Sequence, residues 1–93
     1  MKKLSADTIE EALNSLEGWT YKNNALHKKF VFEDFVEAFG FLGRVALISE
    51  QLTHHPNWSG VYNKVELRLS THDAGGVTKK DLEFAERVES YET

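Results

Sequence analysis

The chain has no cysteine, which removes disulfides and thiolate metal sites from the devices that stabilise so short a polypeptide. A single proline and six glycines among 93 residues leave no stretch rich enough in either to act as a linker. No internal repeat or low-complexity tract interrupts the sequence, so one domain covering 1–93 is expected. Long apolar runs are missing too. Nothing approaches the ~20 apolar residues that span a bilayer, and residues 1–16 mix acids and amides with their apolar positions where a signal peptide would place an apolar centre. Cations are in deficit, with 11 Lys and Arg against 15 Asp and Glu and a net charge of −4. That balance argues against a phosphate backbone as partner. The expectation is a soluble, cytoplasmic domain with no nucleic-acid or membrane partner.

What is present suits a packed core: 41% of the residues are hydrophobic and 12% aromatic. A domain of this size buries only roughly two-thirds of its unfolded surface. Without cross-links, association with further copies is the remaining route to more burial, and a homo-oligomer, dimer or tetramer, is expected.

Periodicity divides the chain into seven elements. Ser5 is placed to cap a first helix, with Leu4 and Ile9 as a hydrophobic staple, Ile9, Ala12, Leu13 and Leu16 as its apolar stripe and Gly18 at its end. Trp19–Tyr21 and Ala25–Phe32 read as two strands joined at Asn23-Asn24, residues that tolerate positive φ in a tight hairpin turn. From Glu33 to about Thr53 the period is helical, with Phe35, Ala38, Leu42, Val45, Ser49 and Leu52 on one stripe and Phe39, Ala46 and Leu47 beside it. Gly40 and Gly43 in this helix point either to close approach of another element or to surface tolerance, and Pro56 sets the helix's outer limit. Asn57–Val61 is a third strand. Tyr62–Thr71 is a fourth, in which Val65, Leu67 and Leu69 alternate with Lys64, Glu66 and Arg68. After a loop at Asp73-Ala74-Gly75-Gly76, Thr78 caps a last helix with Asp81 at the third position, and Leu82, Ala85 and Val88 continue it, Phe84 and Tyr91 lying on a neighbouring stripe. The order α-β-β-α-β-β-α predicts an α+β sandwich: a four-stranded antiparallel sheet with its helices on one face.

Three of four histidines stand at element ends: His54 and His55 after the long helix, and His72 after the alternating strand. Packing that helix on that strand would bring the ends together. Glu50 lies four residues before His54, so on a continuing helix the carboxylate would share a face with the imidazole and orient it. Two plainer readings stand beside this one. Histidine at a helix C-terminus is favoured by the dipole without any function. Three imidazoles also suit zinc, although adjacent histidines diverge and helical metal pairs more often sit at i, i+4. His27, among lysines in the first hairpin, reads as a solvated strand residue.

The stretch Glu50-Gln51-Leu52-Thr53-His54-His55-Pro56-Asn57-Trp58, with Val61-Tyr62-Asn63-Lys64-Val65 and Ser70-Thr71-His72-Asp73, resembles the signature of the pterin-4a-carbinolamine dehydratases. Ala38-Phe39-Gly40-Phe41, Arg44-Val45-Ala46-Leu47 and the helix entry from Gly76 to Asp81 match as well, so the likeness runs from about Trp19 onward. It implies the same α-β-β-α-β-β-α sandwich and a hydro-lyase that removes water from 4a-hydroxytetrahydrobiopterin to give quinonoid dihydropterin, in tetrahydrobiopterin recycling or biosynthesis. The chemistry needs a proton delivered to the C4a hydroxyl and another taken from N5, work suited to imidazoles, whose unperturbed pKa is ~6.5. By resemblance His54, His55 and His72 are catalytic, with His54 and His72 the acid–base pair and His55 binding or assisting. Thr53, Ser70, Thr71 and Asp73 join them as substrate-contacting positions, and Glu50 and Trp58 have supporting roles, Trp58 expected to pack on the sheet. No metal or organic cofactor is implied. Thr53 departs from the aspartate that many members carry before the histidine pair; its hydroxyl still hydrogen-bonds a pterin but supplies no charge. Mammalian relatives also act as dimerisation cofactors for a transcription factor, so the alternative is a pterin-binding or coactivator-like module with a protein partner.

Overall fold

A computed structural model describes residues 1–92. Its elements are α1 (Ala6–Leu13), β1 (Thr20–Lys22), β2 (Ala25–Val31), α2 (Phe35–Leu52), β3 (Asn57–Val61), β4 (Lys64–Leu69) and α3 (Lys79–Glu92), with one 3-10 turn at His72–Ala74 between β4 and α3. The α-β-β-α-β-β-α order and the antiparallel four-stranded sheet are as expected, and the strands lie in the order β1-β2-β4-β3.

Local chemistry explains most boundaries. Ser5 caps α1, its Oγ accepting the Thr8 N–H at 3.2 Å. The helix stops at Leu13, well before Gly18, because Asn14 and Ser15 favour local bonds over the ladder: the Ser15 hydroxyl donates to Ala12 O at 3.1 Å. Asn23 and Asn24 both take positive φ, 52° and 60°, which makes the two-residue hairpin turn whose twist matches antiparallel strands. A second tight hairpin falls where a strand start was expected. Tyr62 has φ 53° and turns the chain with Asn63, so β4 begins at Lys64; the Asn63 amide then donates to Phe32 O at 2.8 Å and ties this turn to the end of β2. Asp34 caps α2 by accepting the Glu37 N–H at 2.9 Å.

The core lies between the three helices and one face of the sheet, where Leu26, Phe30, Val65, Leu67 and Leu69 meet Ile9, Phe41, Val45, Ile48, Phe84 and Val88. The buried stripe of α2 differs from the expected one. Ala38, Val45 and Ser49 are buried as read, Leu42 and Leu52 are partly buried, but Phe41 and Ile48 enter the core while Phe35, Phe39 and Leu47 face solvent. The helix is apolar on too many sides for periodicity to select one. Gly40 and Gly43 sit on its open side: a Cβ at Gly43 would meet nothing within 4 Å, and one at Gly40 only the Arg44 side chain at 3.7 Å. Within the chain they serve no close approach.

Candidate active site

The C-terminus of α2 decides where the histidines go. Thr53 adopts the left-handed conformation, φ 49° and ψ 49°, and its N–H closes the helix on Glu50 O. The helix therefore does not continue through His54, and the expected Glu50–His54 pairing fails for that reason. His54 instead turns inward with its side chain 10% exposed, and its Nε2 lies 2.5 Å from Asp81 Oδ1. Glu50 takes the next residue: His55 Nε2 is 2.7 Å from Glu50 Oε2, both groups well exposed.

Asp81 is the organising residue, and sequence reading assigned it only a capping role. It performs that role, since its Oδ2 accepts the Thr78 N–H at 2.8 Å while Thr78 Oγ1 accepts from Lys80 N at 3.2 Å. The same Oδ2 accepts the Thr71 hydroxyl at 2.8 Å. With side-chain exposure of 0%, the carboxylate thus holds, through Oδ1 and Oδ2, the residue before His55 and the residue before His72. That single clamp joins the end of α2 to the end of β4. Its sequence signal was the capping offset from Thr78; nothing in the sequence showed that the far oxygen would reach a histidine.

The clamp leaves His55 and His72 on the wall of one cavity of about 450 Å³, together with Asn57, Arg68, Ser70 and the Asn23-Asn24 turn. Ser70 also fastens that turn, its Oγ donating to Asn24 O at 2.9 Å. His54 is not among the residues lining this cavity. A carboxylate can only accept, so the bond to Asp81 places a proton on His54 Nε2, and in the neutral ring Nδ1 is then the lone-pair acceptor. That Nδ1 makes no bond within the chain, and among the described residues no buried side-chain nitrogen or oxygen lacks a partner, so Nδ1 reaches open space.

Of the remaining expected site residues, Thr53 is exposed at the helix cap beside His54 and Asp73 is exposed in the 3-10 turn, neither lining the cavity. Trp58 does not pack into the core. It is 60% exposed on β3 and forms, with Pro56, His55, Glu50, Val45 and Leu42, a separate apolar hollow of about 260 Å³ on the other side of His55. His27 is half-buried on the open face of the sheet, Nε2–H bonded to Lys22 O at 3.2 Å. Among the described residues no three His, Cys, Asp or Glu side chains group as a metal site would require, and no helix is long and apolar enough to cross a membrane.

Fold and site together define a small α+β domain with a histidine-lined cavity braced by a buried carboxylate. Residues 2–91 match the model of the family described as pterin 4 alpha carbinolamine dehydratase, and the chain belongs to that family of hydro-lyases. A protein of Christiangramia forsetii, named a candidate pterin-4-alpha-carbinolamine dehydratase, is 47% identical over 89 residues, covering 96% of this chain and 92% of its own. One of the same name from Sulfurisphaera tokodaii is 46% identical over 89 residues, 96% of each chain. The crystal structure of a transcriptional coactivator/pterin dehydratase from Brucella melitensis superposes with a TM-score of 0.92 at 38% identity, covering 96% of this chain and 97% of the other. A pterin dehydratase-like protein described as a RuBisCO assembly factor of the alpha-carboxysome is more distant, with a TM-score of 0.64 and 26% identity over 77% of this chain and 83% of its own.

Proposed function

We propose that this protein dehydrates a 4a-hydroxytetrahydropterin to the quinonoid dihydropterin by histidine acid–base catalysis, serving tetrahydrobiopterin recycling or biosynthesis. The observation that carries the reading is the Asp81 clamp, which fixes one histidine's tautomer and draws two others to a common cavity. In the reaction a proton is delivered to the C4a hydroxyl, the C4a–O bond breaks and water leaves. The N5 lone pair forms the C4a=N5 double bond and N5 loses its proton. His54, with Nδ1 unprotonated, is the base that takes the N5 proton, its imidazolium then stabilised by Asp81 in the manner of a catalytic triad. His72 on the cavity wall delivers the other proton, and His55, steadied by Glu50, binds or assists. Thr53, Ser70, Thr71 and Asp73 offer side-chain or backbone groups to the pterin. Each transfer is expected to be worth about 10²–10⁴ in rate. A dehydration assay with freshly generated 4a-hydroxytetrahydropterin tests the reading; no acceleration over buffer refutes it.

The protein also self-associates in this proposal. Strand β3 lies at the sheet edge with every residue exposed, including Trp58 and Val61, and an unpaired edge of that kind invites a symmetric partner strand. The exposed Phe35, Val36, Phe39 and Leu47 of α2 favour a second reading, in which this helix face docks a further copy or a protein partner as a coactivator-like module would.

A further inference from the structure

We infer that Arg68 forms an anion-recognising subsite of the cavity, so that the preferred pterin carries a carboxylate or phosphate on its side chain. This rests on the dehydratase reading for the reaction and departs from it in the pterin side chain, which is neutral in tetrahydrobiopterin.

Arg68 lies on β4 in a cross-strand row with His27 on one side and Asn57 on the other. It is half-buried and lines the 450 Å³ cavity that also holds His55 and His72. With Asn57 it continues into an adjoining hollow of about 300 Å³ floored by His27, Ser59 and Glu66. The two spaces share Arg68 and Asn57 as walls, so they adjoin on the open face of the sheet with Arg68 between them. A guanidinium is charged at every accessible pH, and partial burial without a counter-charge is unfavourable. Yet among the described residues Arg68 makes no ion pair and no side-chain hydrogen bond. Glu66, on the same face two residues away, makes none either, and Glu50 is already bonded to His55. The face around the row adds Lys22 and Lys29 on β1 and β2 and Lys64 on β4, also without ion pairs, although the chain as a whole carries −4. Among the described residues Arg68 is thus the one fixed cation shared by the two spaces, with Glu66 also lining the hollow and the lysines on the same sheet face around it. The planar fork of arginine matches carboxylate and phosphate oxygens in pairs. A 450 Å³ space is in the range of about 300–1,000 Å³ usual for ligand sites, and the adjoining hollow accepts a chain that extends beyond a bicyclic ring.

The test is equilibrium titration of three stable 7,8-dihydropterins: one with a neutral methyl side chain, one ending in a phosphate ester, and one ending in a glutamyl carboxylate. The wild-type protein is expected to bind at least one anionic ligand about 10–100-fold tighter than the neutral one, the worth of a charge-assisted hydrogen-bond pair. Which anion binds tighter names its source. Arg68→Gln should abolish the ratio and Arg68→Lys should keep part of it, with folding checked by thermal melt. Should Arg68→Gln fail to fold, the wild-type ratio must still shrink as salt is raised from 50 to 500 mM. Equal affinities for all three ligands, or an anion preference that survives Arg68→Gln or high salt, overturns the subsite. Turnover separates the two ideas. Dehydration of the neutral 4a-hydroxypterin without an anion preference leaves the enzyme reading intact and removes the subsite. An anion preference in binding with no dehydration of the 4a-hydroxytetrahydropterins bearing the same three side chains does the reverse.

Discussion

Asp81→Asn is the most discriminating single perturbation of this site. The exchange preserves shape, so the amide oxygen can occupy the Oδ2 position and keep the bonds from Thr78 N–H and Thr71 Oγ1, each 2.8 Å long in the wild type. The amide NH2 then stands at the Oδ1 position, 2.5 Å from His54 Nε2 in the native arrangement. Two donors cannot face each other. His54 must move its proton to Nδ1 so that Nε2 accepts, and the ring nitrogen reaching open space loses its lone pair. Stability should fall modestly, by about 1–2 kcal/mol, since every polar group keeps a partner. Asp81→Ala should cost about 3–5 kcal/mol, because it strands the Thr78 N–H and the His54 N–H in a site that is fully buried. Catalysis should fall far more than that small cost in stability suggests: the equivalent exchange in a Ser-His-Asp triad lowers kcat by about 10⁴, and a loss of about 10³–10⁴ is expected for Asp81→Asn. Stopped-flow dehydration rates give the effect on turnover, and 15N chemical shifts of His54 report the tautomer directly. If the shifts show the proton moved to Nδ1 while kcat stays within about threefold of wild type, His54 is not the base and the reasoning from the clamp is wrong.

Other consequences are simpler to check. His54→Ala and His72→Ala should each slow the catalysed reaction by about 10²–10⁴-fold, and near-normal turnover in a variant whose fold is verified by circular dichroism would remove that residue from the mechanism. Prolonged EDTA treatment should leave activity and Tm unaltered; loss of activity that a stoichiometric divalent ion restores would revive a metal role for the histidines. Size exclusion with light scattering, down to about micromolar protein, should show a dimer or larger species built on the β3 edge, and a fully active monomer there would contradict it.

Much of the architecture was legible because local chemistry and tertiary packing agree. Ser5 and the Thr78–Asp81 box stand where their side chains satisfy backbone groups, the Asn23-Asn24 pair takes the positive φ that its turn requires, and the alternation of Val65, Leu67 and Leu69 is the buried face of β4. The departures arise where two readings of one residue compete. Tyr62 has the composition of a strand residue, yet tertiary fastening of Asn63 to Phe32 makes it a turn. Helix α2 offers more apolar positions than one face can bury, so its true stripe, through Phe41 and Ile48, depends on the neighbours it meets. For the site, the gathering of the α2 and β4 ends followed from topology. The carboxylate partner did not, because it depends on a left-handed residue at Thr53 that ends the helix one step before His54. A sequence shows Glu50 at helical spacing; only the backbone shows that the spacing is broken and that Asp81, distant in sequence, replaces it.

The most direct test of the central claim is the rate of water loss from a 4a-hydroxytetrahydropterin generated in situ by an aromatic amino acid hydroxylase, followed by the absorbance of the quinonoid dihydropterin. The wild-type protein is predicted to accelerate that step over the uncatalysed reaction at catalytic concentration, and the double variant His54→Ala/His72→Ala is predicted to return it to the uncatalysed rate. A wild-type rate equal to that of buffer, or a double variant as fast as wild type, would contradict the account.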